Sequence, residues 1–164
     1  MAHRVSIITM SDKAAVGQRV DQSGPVLKEL CAANGLEVVS LEVLPDEPAL
    51  LTAKLKDIAD NGKADLILTT GGTGFAPRDQ TPEATLAAAD RLAPGLAEAM
   101  RAESLKKTPR AMLTRGVSVI RGGTLILNLP GSPKGARECL EAVLPALGHG
   151  LDILTQKAGE CARP

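Results

Sequence analysis

Aromatic side chains are almost absent from this sequence: Phe75 is the only one, with no Trp and no Tyr in 164 residues. A flat heterocyclic ligand therefore cannot be sandwiched between rings and has to lie on aliphatic side chains and backbone. Cysteine is scarce as well. Cys31, Cys139 and Cys161 are odd in number and far apart, which suits neither a zinc site nor a disulfide framework and points to a reducing cytoplasm. An excess of charge is missing. The 19 basic and 19 acidic residues cancel, so nothing argues for nucleic acid or an anionic membrane as partner, while a local anion site stays open. No apolar run reaches the roughly 18 residues of a membrane span, and the apolar stretch of "MAHRVSIITMS" is too short and too alternating for a signal peptide. His3 and His149, the only two histidines, are read as structural or surface residues.

What is present is an alternation of short apolar runs and longer amphipathic ones, the pattern of an α/β layer fold. Strands are expected at 4–10, 36–44 and 64–70, with helices at 24–35 and 48–62 between them. "ADLILTT" is apolar on both faces, as a central parallel strand should be. Further on, 81–92 and 94–105 read as two helices parted by Pro94. Residues 116–130 read as two strands about Gly122-Gly123, a turn that suits a hairpin. The last helix is expected over 132–154, with Pro145 as a kink. No repeat or linker divides the chain, so 1–164 is read as a single domain with a loosely held tail from about 155 to 164.

"GGTGFAPRDQTPEAT" packs three glycines into four positions, Gly71, Gly72 and Gly74, directly after an apolar strand. It is not a P-loop, lacking Gly-Lys-Ser/Thr, nor a G-x-G-x-x-G dinucleotide fingerprint. Ligands of parallel α/β sheets bind outside the carboxyl ends of the strands. There the first strand offers Ser11, Asp12 and "DQSGP"; the second, "PDEP" with Asp46; the third, the glycines with Arg78 and Asp79; the last, "NLPGSPKG". Each also has a plain local role. Asp21 or Ser23 caps a helix, Asp46 and Asp79 stand near helix entries, and Ser132-Pro133 is an N-cap with proline at the first helical position. A helix start flanked by Lys134 is also an anion site. Cys31 and Cys139, on apolar helix faces, are read as packing.

The extended motif Gly71–Glu83, together with "SDKAAVGQRVDQSGP", "PDE", "TPRAMLTRG" and "LILNLPGSPKG" in this order, resembles the molybdenum-cofactor biosynthesis family, in particular its stand-alone bacterial molybdopterin adenylyltransferases. The resemblance covers nearly the whole chain. It implies a doubly wound three-layer α/β sandwich with a mostly parallel mixed sheet, assembled as a homotrimer or homohexamer. It implies transfer of AMP from ATP to the terminal phosphate of molybdopterin with Mg2+, and hand-over to a molybdenum-inserting protein. Paralogues of this family keep the fold as non-catalytic molybdopterin-binding scaffolds, which is the alternative reading.

By the same resemblance, Asp46 and Asp79 form the acidic catalytic and metal-binding pair, expected at the ends of neighbouring strands. Gly71, Gly72, Thr73, Gly74, Ser11 and Asp12 fall on the nucleotide side, with glycine-loop N–H groups facing phosphate. Ser23, Gly24, Thr114, Arg115, Pro130, Gly131, Ser132 and Lys134 fall on the substrate side. Arg78 is left between two roles, meeting phosphate or holding Asp79. Such a reaction needs no protein nucleophile, since the attacking phosphate oxygen is already ionised at neutral pH; alignment and charge neutralisation carry it.

Overall fold

The computed structural model describes residues 1–157. Strand β1 (Arg4–Met10) leads through a single turn α1 (Asp12–Ala15) to α2 (Ser23–Ala33), then β2 (Glu37–Leu44), α3 (Pro48–Asp60) and β3 (Leu66–Thr70). The second half holds α4 (Thr81–Ala88), β4 (Arg91–Leu92), α5 (Pro94–Leu105), a 3-10 turn at Pro109–Leu113, β5 (Ser118–Arg121), β6 (Thr124–Leu129) and α6 (Pro133–Leu154). The strands form one six-stranded sheet in the order β2-β1-β3-β6-β5-β4. β2, β1, β3 and β6 are mutually parallel, and β5 and β4 close the sheet with antiparallel pairings.

Two cores follow from the two-residue period of the strands. Val5 and Ile7, Leu66 and Leu68, and Leu125 and Leu127 point to one face, where Leu27 and Cys31 of α2, Met100 of α5 and Leu140 of α6 cover them. Ile8, Ile67 and Ile126 point to the other, against Leu51, Leu55 and Ile58 of α3 and Ala84 and Ala88 of α4. The periodicity of 24–35, 48–62 and 132–154 thus marked the true inner faces, and α6 continues through Pro145. Burial pushes the Cys31 thiol up to about 11, and the Cys139 thiol also upward, so both act as packing groups. His3 has a partner: its Nε2 lies 2.8 Å from Asp152 Oδ1, at the start of β1 and away from the carboxyl ends of the strands.

One expected helix is shorter than its apolar pattern. Residues 81–92 were read as helical throughout, but α4 stops at Ala88 and Arg91–Leu92 become the edge strand β4. The reason is competition for backbone partners. Asp90 N–H donates to Ile120 O at 2.9 Å, Arg121 caps the helix end at Ala88 O, and Pro94 biases Ala93 toward extended backbone. The two-residue Gly122-Gly123 turn does join β5 to β6, with Arg121 opposite Thr124. Of the expected loose tail, Thr155, Gln156 and Lys157 bond back onto α6; 158–164, with Cys161, lies outside the described residues. Among the described residues no helix is long and apolar enough to cross a membrane.

Candidate active site

β1 runs outward to β2, and the chain then returns to the other side of β1 to form β3. The connections lie on opposite faces, α2 on one and α3 on the other, so a crevice opens between the carboxyl ends of β1 and β3. A cavity of about 810 Å³ occupies it. Its walls include Ser11 after β1, Asp46 after β2, Gly71, Gly72 and Asp79 after β3, Ser23 at α2, and Gly131 and Ser132 before α6. The four loops named from the sequence do meet at one edge. Asp46 and Asp79 are not on neighbouring strands, however: β1 lies between β2 and β3, and the two carboxylates reach the crevice from either side of it.

The Asp46 carboxyl is raised above the ordinary carboxylate range, first by burial and then by the charges of Asp12 and Asp79, with an Asp12 N–H bond and the Arg78 charge opposing. Asp12 and Asp46 brace each other reciprocally. Asp12 N–H donates to Asp46 Oδ2 at 3.0 Å, and Asp46 N–H donates to Asp12 Oδ1 at 2.9 Å. Of its two expected roles, Arg78 does not take that of holding Asp79. Its Nε and Nη2 grip both oxygens of Asp12 at 2.6 and 3.0 Å, and Nη2 also reaches Glu47 at 2.9 Å. That grip holds the Asp12 carboxyl below its usual range.

The glycine loop is built for close approach. A Cβ on Gly71, at φ +97°, would stand 2.4 Å from the Met10 carbonyl oxygen, and one on Gly72, at φ +67°, would stand 2.3 Å from Thr81 Oγ1. A Cβ on Gly74 would meet Asp79 Oδ2 at 2.9 Å, so this glycine makes room for the carboxylate. The expectation that every N–H from Gly71 to Gly74 faces phosphate does not hold for the first of them, because Gly71 N–H donates to Leu129 O at 3.1 Å. Thr73 is buried and gives its carbonyl to Arg115 N–H at 2.8 Å. Asp79 Oδ2 accepts from Ala76 N–H at 3.1 Å.

On the substrate side the local roles are clear. Asp21 caps α2, with Oδ1 accepting from Gly24 N–H at 3.1 Å and from the Ser23 hydroxyl at 3.3 Å. Asp21 Oδ2 accepts from the Thr9 hydroxyl at 2.9 Å, which anchors the cap to β1. Ser132 Oγ accepts from Gly135 N–H at 3.0 Å, and Pro133 follows at the first helical position. The Pro130 carbonyl is held by the Thr70 hydroxyl at 2.7 Å, locking the loop before α6 to the end of β3. Lys134 is exposed beside the cleft-lining Pro133. Thr114 and Arg115 do not line the cleft. Thr114 faces a small cavity with Asn128, Pro130 and Cys139. The Arg115 guanidinium is engaged by Gly74 O at 2.8 Å, by Asp79 O and by the Glu83 carboxylate.

Sequence reasoning passed over Arg19 and Val20, which stand on the cleft wall and are exposed, Val20 by 79%. The available signal was a basic residue within "VGQRVDQ", between two named motifs and without helical or strand periodicity.

Comparison with known proteins places this architecture in company. Residues 6–149 match the family model described as a probable molybdopterin binding domain. The molybdopterin adenylyltransferase of Helicobacter pylori strain J99 is 41% identical over 152 residues, 92% of this chain and 86% of that protein. The molybdopterin adenylyltransferase of Escherichia coli K12 is 45% identical over 148 residues, 89% of this chain and 76% of that protein. Among solved structures, the molybdopterin biosynthesis enzyme MoaB of Thermus thermophilus superposes with a TM-score of 0.90 at 54% identity, covering 96% of this chain and 99% of that one.

Proposed function

The chain belongs to the molybdopterin-binding-domain family of molybdenum cofactor biosynthesis, and from that premise we propose that it is an enzyme that adenylylates molybdopterin, with ATP as the AMP donor. The observation that carries the reading is the convergence, in one switch-point cleft, of two carboxylates, a glycine loop and the start of the long helix α6. A terminal phosphate oxygen of molybdopterin attacks the α-phosphorus of ATP. One P–O bond forms, the bond to the bridging oxygen breaks, and pyrophosphate leaves with that electron pair. The attacking oxygen carries no proton at neutral pH, so no general base is assigned and neither histidine is used. The work of this chain is to align two polyanions. The α6 N-terminus with Ser132 and Lys134, and Arg19 in the cleft lining, supply positive potential for them.

The donor set suits Mg2+ brought in with the nucleotide. Asp46 and Asp79 each have one carboxylate oxygen tied to a backbone N–H, which fixes its orientation, and a cation would offset the burial and the neighbouring Asp12 and Asp79 charges that raise Asp46. Among the described residues no cluster of three or more His, Cys, Asp or Glu is disposed to cage a metal, which suits an ion that takes most of its ligands from phosphate and water. When bound there, Mg2+ neutralises charge on the phosphates.

We further propose assembly as a homotrimer or homohexamer and delivery of product to a molybdenum-inserting protein. Support for assembly comes from an apolar groove of about 450 Å³ along α5, lined by Leu86, Leu92, Pro94 and Leu105. Incubation with molybdopterin, ATP and Mg2+ should yield adenylylated molybdopterin and pyrophosphate. No product above a protein-free control would leave only a molybdopterin-binding scaffold. Light scattering that gives a monomer mass would remove the assembly proposal.

A further inference from the structure

We infer that Arg115 is a positioning residue that closes the Gly74–Asp79 loop and so aims the Asp79 carboxylate into the cleft, and that it is not a substrate ligand. Between Gly74 and Asp79 the chain makes one tight excursion, stapled internally by Asp79 N–H to Ala76 O at 2.9 Å and by Ala76 N–H to Asp79 Oδ2 at 3.1 Å. These two bonds fix the carboxylate relative to the loop. They do not fix the two ends of the loop; Phe75, Ala76, Pro77 and Arg78 are all exposed, and Arg78 ties only the far side of the loop to Asp12 and Glu47.

Arg115 holds the two ends. Its backbone N–H donates to Thr73 O at 2.8 Å, just before the loop. Its guanidinium Nε donates to Gly74 O at 2.8 Å, where the loop leaves, and Nη2 donates to Asp79 O, where it returns. Nη1 meets Glu83 in the first turn of α4. One planar fork therefore ties both ends of the loop to each other and to α4, an arrangement that suits guanidinium and not ammonium. All three guanidinium nitrogens have a protein acceptor, and Arg115 is not among the residues that line the cleft. The anchor for Arg115 itself is the segment after the 3-10 turn, ahead of β5 and distant in sequence from the loop.

The kinetic part of the test rests on the adenylyl-transfer reading; the exchange part does not. Arg115→Ala and Arg115→Lys are compared with the unmodified protein by peptide-level amide hydrogen exchange and by steady-state pyrophosphate release. In both variants the 74–79 peptide should exchange about tenfold faster or more, with peptides of β1, β3 and β6 unchanged. The value of kcat should fall about 30-fold or more, while KM for ATP and for molybdopterin stays within about threefold. Lysine should not rescue, because it keeps the charge but loses the fork. Restoration by lysine, or a large rise in KM with kcat preserved, would make Arg115 a substrate ligand; unchanged loop exchange would remove the clamp. If the unmodified protein itself releases no pyrophosphate, the function reading fails, and the exchange result still decides the role of Arg115. Should Arg115→Ala not fold, Arg115→Lys carries the same comparison.

Discussion

Gly71→Ala is the most demanding single test of how the cleft is built. Gly71 sits at φ +97°, and its added methyl group would stand 2.4 Å from the Met10 carbonyl oxygen. Backbone in the left-handed region costs a non-glycine residue about 1–2 kcal/mol. Overpacking adds about 1–3 kcal/mol, with no rotamer to relieve it, because the clashing atom belongs to the backbone of β1, an interior strand paired on both sides. The sum is roughly 2–5 kcal/mol, which at about 2–4 °C per kcal/mol for a chain of this size lowers Tm by about 4–20 °C. Activity should fall as well, since Gly71 abuts Gly131 of the loop before α6, whose own Cβ would lie 3.3 Å from the Gly71 Cα. The control is Gly95→Ala. Gly95 lies in α5 with nothing within 4 Å of its added Cβ and no positive φ, so the change should be neutral or stabilise by up to about 1 kcal/mol. Thermal melts followed by circular dichroism, with pyrophosphate release alongside, read both. Equal Tm values for the two variants would refute the close-approach argument.

Asp79→Asn should abolish turnover with the melting curve preserved, because asparagine keeps an acceptor for Ala76 N–H and loses only the charge; near-normal product formation would remove Asp79 from the chemistry. Asp46→Asn should also abolish turnover but raise Tm at neutral pH. The folded-state pKa of Asp46 is raised, so its ionised form opposes folding above that pKa. The gain in the variant should shrink as pH falls through the raised value and vanish below the unfolded value of about 3.9. A Tm gain that is flat between about pH 3 and 8 would contradict the burial and repulsion assigned to it. Lys134→Ala should weaken equilibrium binding of the anionic substrate by roughly 1.5–3 kcal/mol, read by calorimetry, if a charge-assisted bond is lost; an unchanged constant would make this lysine a surface group.

Much of the site was legible because its signals are local. A proline after a serine sets a helix start whatever lies around it, and Ser132-Pro133 does so here. Apolar residues at two- and 3.6-residue periods mark strands and inner helix faces, and the buried faces of α2, α3 and α6 follow them. Two signals misled. The apolar run through 81–92 continued a helical pattern that the sheet edge interrupted with a better set of backbone partners. Thr114-Arg115 matched a family position expected on the substrate side, but neither lines the cleft: Thr114 faces a separate small cavity and Arg115 holds the ends of the Asp79 loop.

What the sequence determined by itself was the main strands and long helices, the loops that carry the chemistry and the side of the sheet on which they gather, since parallel strands send their carboxyl ends one way. Only the tertiary structure decided the strand order, which sets β1 between the two carboxylate-bearing strands. It alone decided where the two arginines go: Arg78 to Asp12 and Glu47, Arg115 to the ends of the Asp79 loop. The physical reason is reach. Periodicity and capping act within a few residues of chain, whereas a guanidinium takes whichever acceptors the folded sheet brings within about 3 Å, and those lie 66 residues away for Arg78 and Asp12.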